Sequence, residues 1–208
     1  MYNPPLHAVS DIAWMHDFIR RNAFATFAGI IDGAVHFAYV PVVLDEHPSP
    51  LGAVDFHLAR SNPMAALADG SVIKFSIMGA HTYVSPDWYE TPDLVPTWNY
   101  MAVEGSGRVE RVDEADSVAY LTRLSAEQEA SLAPKTPWSP ARLPPEKLKR
   151  LLPGIVPFHL RLDSLEGKAK LSQNRSQADI AGAIAALLQR GDESSAAVAS
   201  AMQTLSVR

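Results

Sequence analysis

The chain has no cysteine among its 208 residues. Disulfide scaffolds, thiolate zinc sites, iron–sulfur clusters and thiol nucleophiles are thereby excluded. It also lacks an uncharged apolar run long enough for a membrane helix, and its opening stretch MYNPPLHAVSDIAWMHDF has no basic region followed by an apolar one. A cytoplasmic protein with no membrane partner is the expectation. Positive charge is in short supply as well: 18 Lys and Arg against 23 Asp and Glu leave a net charge of −5, which repels a phosphate backbone. Missing too are the G-x-G-x-x-G, Walker, G-x-S-x-G and H-E-x-x-H motifs. The seven histidines are scattered without metal-ligand spacing, so no metal centre is expected.

What is present is a globular composition, 47% apolar and 20% charged, with length enough for a core. Ser10 and Asp11 precede the apolar stripe Ile12, Met15, Phe18 and Ile19, which predicts a short helix over 11–21. Apolar runs over 24–31 and 34–44, joined by Asp32-Gly33, predict a hairpin. Further strands are expected over 52–58, 71–78, 81–85, 97–104, 107–112 and 155–162, most of them separated by glycine or proline. Helices are expected over 114–131, over 145–152 and from a Ser176 cap to Gly191. The pattern is mainly β with peripheral helices, a barrel or a sandwich. Residues 1–190 are expected to form a single domain. Residues 191–208, with Val198, Met202 and Leu205 at helical spacing, are expected as a helical or frayed tail.

Four dense polar-aromatic words stand in the β region: HLARSNP at 57–63, YVSPDWY at 83–89, VPTWNY at 95–100 and LEGKAKLSQNR at 165–175. Aromatic rings beside prolines and amides provide flat walls with fixed hydrogen-bonding groups, which suits a planar heteroaromatic ligand. Ordinary core and turn packing accounts for the same residues equally well. Between Arg142 and Arg175, eight basic residues face three acidic ones. That segment is the one region offering a positive field to phosphate, although a solvated helix surface also explains Lys147, Lys149 and Arg150.

Together with Met1-Tyr2-x-Pro4, Phe24-Ala-Thr26 and Pro41-x-x-Leu44-Asp45, these words resemble the PaiB-like family of FMN-binding negative transcriptional regulators. The resemblance implies an FMN-binding split β-barrel of the flavin-reductase type, antiparallel and of Greek-key kind. It further implies a homodimer with FMN held non-covalently at the dimer interface, and a role in repressing genes. An FMN-dependent oxidoreductase of a small molecule, similar to flavin reductases or pyridoxamine-phosphate oxidases, is the alternative. Direct DNA contact is possible but unsupported by the charge.

FMN needs cations or backbone N–H groups for its phosphate, hydroxyl partners for its ribityl chain, and a flat wall with donors for its ring. On the resemblance, His57 and Arg60 are the expected phosphate ligands, assisted by a helix N-terminus after the HLARSNP strand. Tyr83, Ser85 and Trp88 would line the ring. Trp98, Asn99 and Tyr100 would supply a stacking face and an amide for the pyrimidine edge. Lys168 and Lys170 would point from an extended segment toward phosphate or substrate, with Gln173 either at a helix entry or on the ring. No catalytic residue is assigned. Relatives carry histidine where this chain has Tyr39 and Glu104, a change that would make the pocket more acidic.

Overall fold

The structure, a computed structural model, describes residues 1–47 and 49–206, with the Glu114, Leu205 and Ser206 side chains outside the described part. The chain forms two compact units, the first from Met1–Phe18, Met78–Glu104 and Glu166–Arg208, the second from Ile19–Ile77 and Gly105–Leu165. Eight strands are described: β1 (Ala8–Val9), β2 (Phe24–Ile31), β3 (Ala34–Pro41), β4 (Val43–Asp45), β5 (Ala53–Ala59), β6 (Val72–Val84), β7 (Thr97–Arg111) and β8 (Ile155–Lys170). The helices are α1 (Ile12–Arg21), α2 (Glu114–Ala130), α3 (Pro145–Leu151), α4 (Gln177–Arg190) and α5 (Glu193–Ser206). Among the described residues, no helix is long and apolar enough to cross a membrane.

Hydrogen-bonded neighbours run in the order β3-β2-β6-β7-β8-β5-β4, with β1 added to β8. The β2–β3 hairpin closes at Asp32 and Gly33, whose φ values of 51° and 78° are those of a tight primed turn. β2 then pairs with β6 rather than with β4, and β5 with β8, all antiparallel. Two pairs of chain neighbours, β3 with β4 and β5 with β6, are thus separated in the sheet, as a Greek-key connection requires.

Several predicted strands fuse. The expected pair 71–78 and 81–85 is the single strand β6, the pair 97–104 and 107–112 is β7, and the last strand continues through 165–170. The glycines that suggested breaks lie inside these strands because other groups crowd them. A Cβ at Gly79 would stand 2.7 Å from the Phe18 ring, one at Gly105 2.4 Å from Phe75, and one at Gly107 1.9 Å from the Arg161 carbonyl oxygen. Conversely, the expected strand over 34–44 divides into β3 and β4 around Val42.

Each unit has its own core. In the second, Phe27 stacks on Phe56 at 4.1 Å between centroids, Phe56 on Phe158 at 5.3 Å, and Phe27 meets Phe75 at 5.6 Å. All four rings are fully buried, and each contributes about 1.5–3 kcal/mol of transfer free energy. In the first unit, Val84, Ala169 and Leu171 pack with Ile180, Ala183, Leu187, Val198 and Met202 of α4 and α5. The Ser176 Oγ accepts from the Asp179 N–H at 3.1 Å at the start of α4, and Gly191 ends it with φ 73°.

Candidate functional site

Side chains alternate between the two faces of a strand, and in the first unit this period separates packing from exposure. One parity, Val84, Met101, Ala169 and Leu171, meets the helices. The other parity sets His81, Tyr83, Trp98, Tyr100, Lys168 and Lys170 on the opposite face. Trp98 lies between His81 and Tyr83, 6.2 Å from each ring, edge-on to Tyr83 with 74° between planes. Both Trp98 and Tyr83 are exposed, offering aromatic surface to a ligand.

The cations stand beside these rings. Lys168 is only 6% exposed, donates at 2.8 Å to the Tyr2 carbonyl, and lies 5.3 Å from the Tyr100 centroid and 5.5 Å from that of Tyr2. No carboxylate partner of Lys168 is recorded among the described residues. Lys170 donates to Thr97 Oγ1 and, at 2.7 Å, to the Trp98 carbonyl. Burial, and then the neighbouring charges of Lys168 and Arg175, lower its pKa. His7 is lowered too, first by burial, with Lys170 and Lys168 adding to the effect against a hydrogen bond donated to the Gln173 amide oxygen. The result is a local excess of positive charge next to aromatic rings, an arrangement that attracts a planar anion.

Other expected residues are engaged in contacts within the protein. Asn99 is fully buried: its amide donates to Ser172 Oγ at 2.9 Å and to the Met202 sulfur at 3.4 Å, and its carbonyl accepts from Ser172 at 3.2 Å. Instead of facing a ring edge, it fastens β7 to the turn after β8. Gln173 accepts from the Leu171 N–H at 2.8 Å and donates to the Ala169 carbonyl, which ties the turn after β8 to the end of that strand. Ser85 caps a one-turn 3₁₀ helix by accepting from Asp87 N–H at 3.3 Å. Trp88, in that turn, packs against the helical core, and its carbonyl comes so close to α4 that a Cβ at Gly182 would stand 2.3 Å away.

His57 and Arg60 belong to the second unit. His57 Nδ1 is 2.8 Å from Tyr120 Oη, and burial lowers its pKa. The Arg60 guanidinium donates to the Pro153 carbonyl and, at 3.2 Å, to that of Ile155. The helix expected after HLARSNP is a single 3₁₀ turn, Pro63–Ala66, which Pro63 begins after β5 has ended at Ala59 and in which Asn62 Oδ1 takes the Met64 N–H at 2.9 Å. Neither residue contributes to the aromatic and basic face. Tyr39 lies on an exposed sheet face of the second unit, and Glu104 Oε2 is 3.1 Å from the Met1 amine.

Sequence reasoning missed Tyr2, Asn3 and His7 as members of the site. β1 pairs with Lys168 and Gly167, Asn3 donates to the Gly167 carbonyl at 2.9 Å, and His7 meets Gln173 at 3.2 Å. Only the Met-Tyr-x-Pro word hinted at this, because nothing in composition links residues some 165 positions apart. His81 could have been found from its parity with Tyr83. Among the described residues, no group of three His, Asp or Glu is placed to hold a metal ion.

The family model described as "Putative FMN-binding domain" matches residues 1–164. A curated relative, "Protease synthase and sporulation protein PAI 2" of Bacillus subtilis (strain 168), is 28% identical over 183 residues, covering 86% of this chain and 85% of that protein. Among solved structures, the FAD and heme binding protein of Mycobacterium smegmatis superposes with a TM-score of 0.60 at 16% identity, over 84% of this chain and 79% of that one. The flavocytochrome Anf3 of Azotobacter vinelandii gives 0.56 at 13% identity, over 84% and 74%. These structural likenesses show the fold, an antiparallel split barrel with peripheral helices.

Proposed function

The chain belongs to the FMN-binding domain family, and from that membership we propose that it works as a homodimeric negative transcriptional regulator with FMN held non-covalently where two copies meet. The residues of the first unit's open face fit the cofactor. Lys168 is a buried cation whose recorded partners are a carbonyl and two ring faces, and burying an ammonium without a counter-charge is costly. Asn3 Oδ1, tied to the same strand through its amide, is a buried acceptor without a partner among the described residues. A flavin has both complements, anionic oxygens and a ring N–H.

Lys168 and Lys170 would hold an anionic oxygen of the cofactor, while Tyr83, Trp98 and Tyr100 would provide its aromatic wall. When bound, FMN supplies one- and two-electron redox chemistry. The chain's own contribution is to fix charge and exclude water around the ring. The observation that carries the reading is the buried charge of Lys168, which has no carboxylate partner among the described residues.

Support for the dimer comes from the second unit. Phe24 and Ile30 of β2, Val35, Phe37 and Tyr39 of β3, and Val72 of β6 are each 60–67% exposed. Register places them on one face: Ile30 opposes Val35, Ala28 opposes Phe37 and Thr26 opposes Tyr39. An apolar sheet face of this extent is what a second copy of the chain would cover. The regulatory part of the proposal rests on the resemblance and on the relative named for protease synthase and sporulation.

The test is the visible spectrum of the purified protein before and after adding FMN and gel filtering, with the elution volume read from the same run. Flavin bands in a dimer peak are expected. A protein that stays colourless after loading overturns the cofactor site, and a coloured monomer overturns the dimer.

A further inference from the structure

A separate cavity of about 200 Å³ lies in the second unit, between α2, α3 and the ends of β5 and β8. Leu121, Trp138, Leu148 and Leu151 contribute to a lining that is apolar apart from His57 and Ser125. Ser125 spends its hydroxyl on the Leu121 carbonyl of its own helix at 2.7 Å. The polar handle of the cavity is therefore the His57 imidazole. Trp138 and Leu151 are exposed, so the cavity can be reached from solvent.

Tyr120 determines which proton His57 carries. Its hydroxyl belongs to a side chain 2% exposed, and His57 Nδ1, at 2.8 Å, is the one acceptor recorded for it among the described residues. A buried hydroxyl donates where it can, so the Tyr120 O–H occupies Nδ1 and the ring proton stays on Nε2. Burial holds the Tyr120 hydroxyl protonated and the imidazole neutral, in keeping with this arrangement. Nε2 has no hydrogen-bond partner recorded among the described residues, which leaves an uncharged N–H donor on a residue that lines the apolar chamber.

The chamber excludes most ligand classes. A phosphate or carboxylate would lose its hydration against leucines with only a neutral imidazole in exchange. A ligand of drug size needs at least about 300 Å³, whereas an engineered cavity of about 150 Å³ accommodates benzene. We propose that this cavity is a ligand site for a neutral single-ring aryl ketone or aldehyde, whose carbonyl oxygen accepts from His57 Nε2 and whose ring packs among Leu121, Leu148 and Trp138. The assignment does not rest on the flavin reading, since none of these residues belongs to the aromatic and basic face.

The experiment uses the full-length protein with FMN added and follows 4-fluoroacetophenone by ¹⁹F NMR. Saturable line broadening is expected, reversed by acetophenone but not by isopropylbenzene, which has nearly the same shape without the acceptor. His57→Phe should weaken binding about ten-fold, as loss of one buried hydrogen bond does. Leu148→Trp and Leu151→Trp, which fill the chamber from α3, should each abolish the broadening. Circular dichroism and flavin content of each variant separate loss of the site from loss of the fold. Absence of saturable broadening overturns the site. Equal competition by isopropylbenzene, or full retention in His57→Phe, overturns the carbonyl assignment.

Discussion

The Lys168 ammonium lies 5.3 Å from the centre of the Tyr100 ring and donates at 2.8 Å to the Tyr2 carbonyl, buried and without a recorded carboxylate partner. Cation–π attraction to desolvated rings offers about 2 kcal/mol, less than the several kcal/mol that burying an ion costs. A bound anion offsets the difference. Lys168→Met is expected to raise the FMN dissociation constant at least about ten-fold while leaving the apo-protein no less stable. Fluorescence titration and thermal melts of the apo-protein measure the two effects, and unchanged affinity would remove Lys168 from the site.

Lys170 predicts a pH dependence of opposite sign for folding and for binding. Burial, then Lys168 and Arg175, lower its pKa below 10.5. Between the lowered value and 10.5 the unfolded chain holds more protons, so this group's contribution to stability increases as pH rises through that window. Flavin affinity should fall over the same range, because the ammonium that faces the anion is being lost. In Lys170→Gln the affinity profile should be flat there; a profile like the wild type's would assign the titration to another group.

His159 behaves in the reverse way. Its hydrogen bond to Asp55, at 2.7 Å, raises the pKa above 6.5 against desolvation, and Arg123 reaches the other oxygen of the same carboxylate. Folding thus favours the protonated ring. Its stabilisation is fully present below pH 6.5 and is lost as pH rises through the raised value. The melting-temperature gap between wild type and His159→Gln should be wide below 6.5 and narrow at alkaline pH.

Gly107 tests the continuity of β7. A Cβ there would lie 1.9 Å from the Arg161 carbonyl oxygen, and backbone cannot give way as a side chain can. Gly107→Ala should destabilise by at least about 2 kcal/mol, read as a shift of the urea midpoint. Gly154→Ala, whose added Cβ would meet nothing within 4 Å, is the control.

The exposed face of β2 and β3 predicts the assembly. Phe37→Glu puts a charge among Phe24, Ile30, Val35, Tyr39 and Val72. Light scattering should show a monomer that keeps its circular dichroism. Persistence of the dimer would place its interface elsewhere.

Much of the architecture was legible because it is written in local chemistry. Asp32-Gly33 announced the hairpin, Ser176 and Gly191 bounded α4, and the apolar stripe from Ile12 to Ile19 marked α1. The continuous strands were obscured by Gly79, Gly105 and Gly107. Sequence treats a lone glycine as punctuation, whereas here each makes room for Phe18, Phe75 or the Arg161 backbone.

The site was half legible for a similar reason. The words YVSPDWY, VPTWNY and LEGKAKLSQNR singled out Tyr83, Trp98, Tyr100, Lys168 and Lys170, and the strands of the structure set them on one face while placing Asn99 on the other. Nothing local said that Asn99 would spend its amide on Ser172, or that His57 would be joined to Tyr120. By itself the sequence determined element types, caps and the family, since turn geometry, periodicity and motif words are encoded over a few residues. Only the tertiary structure decided which polar groups stay available. That depends on partners brought from Tyr2 to Lys168 and from Asn99 to Met202, contacts of long sequence separation that no local preference specifies.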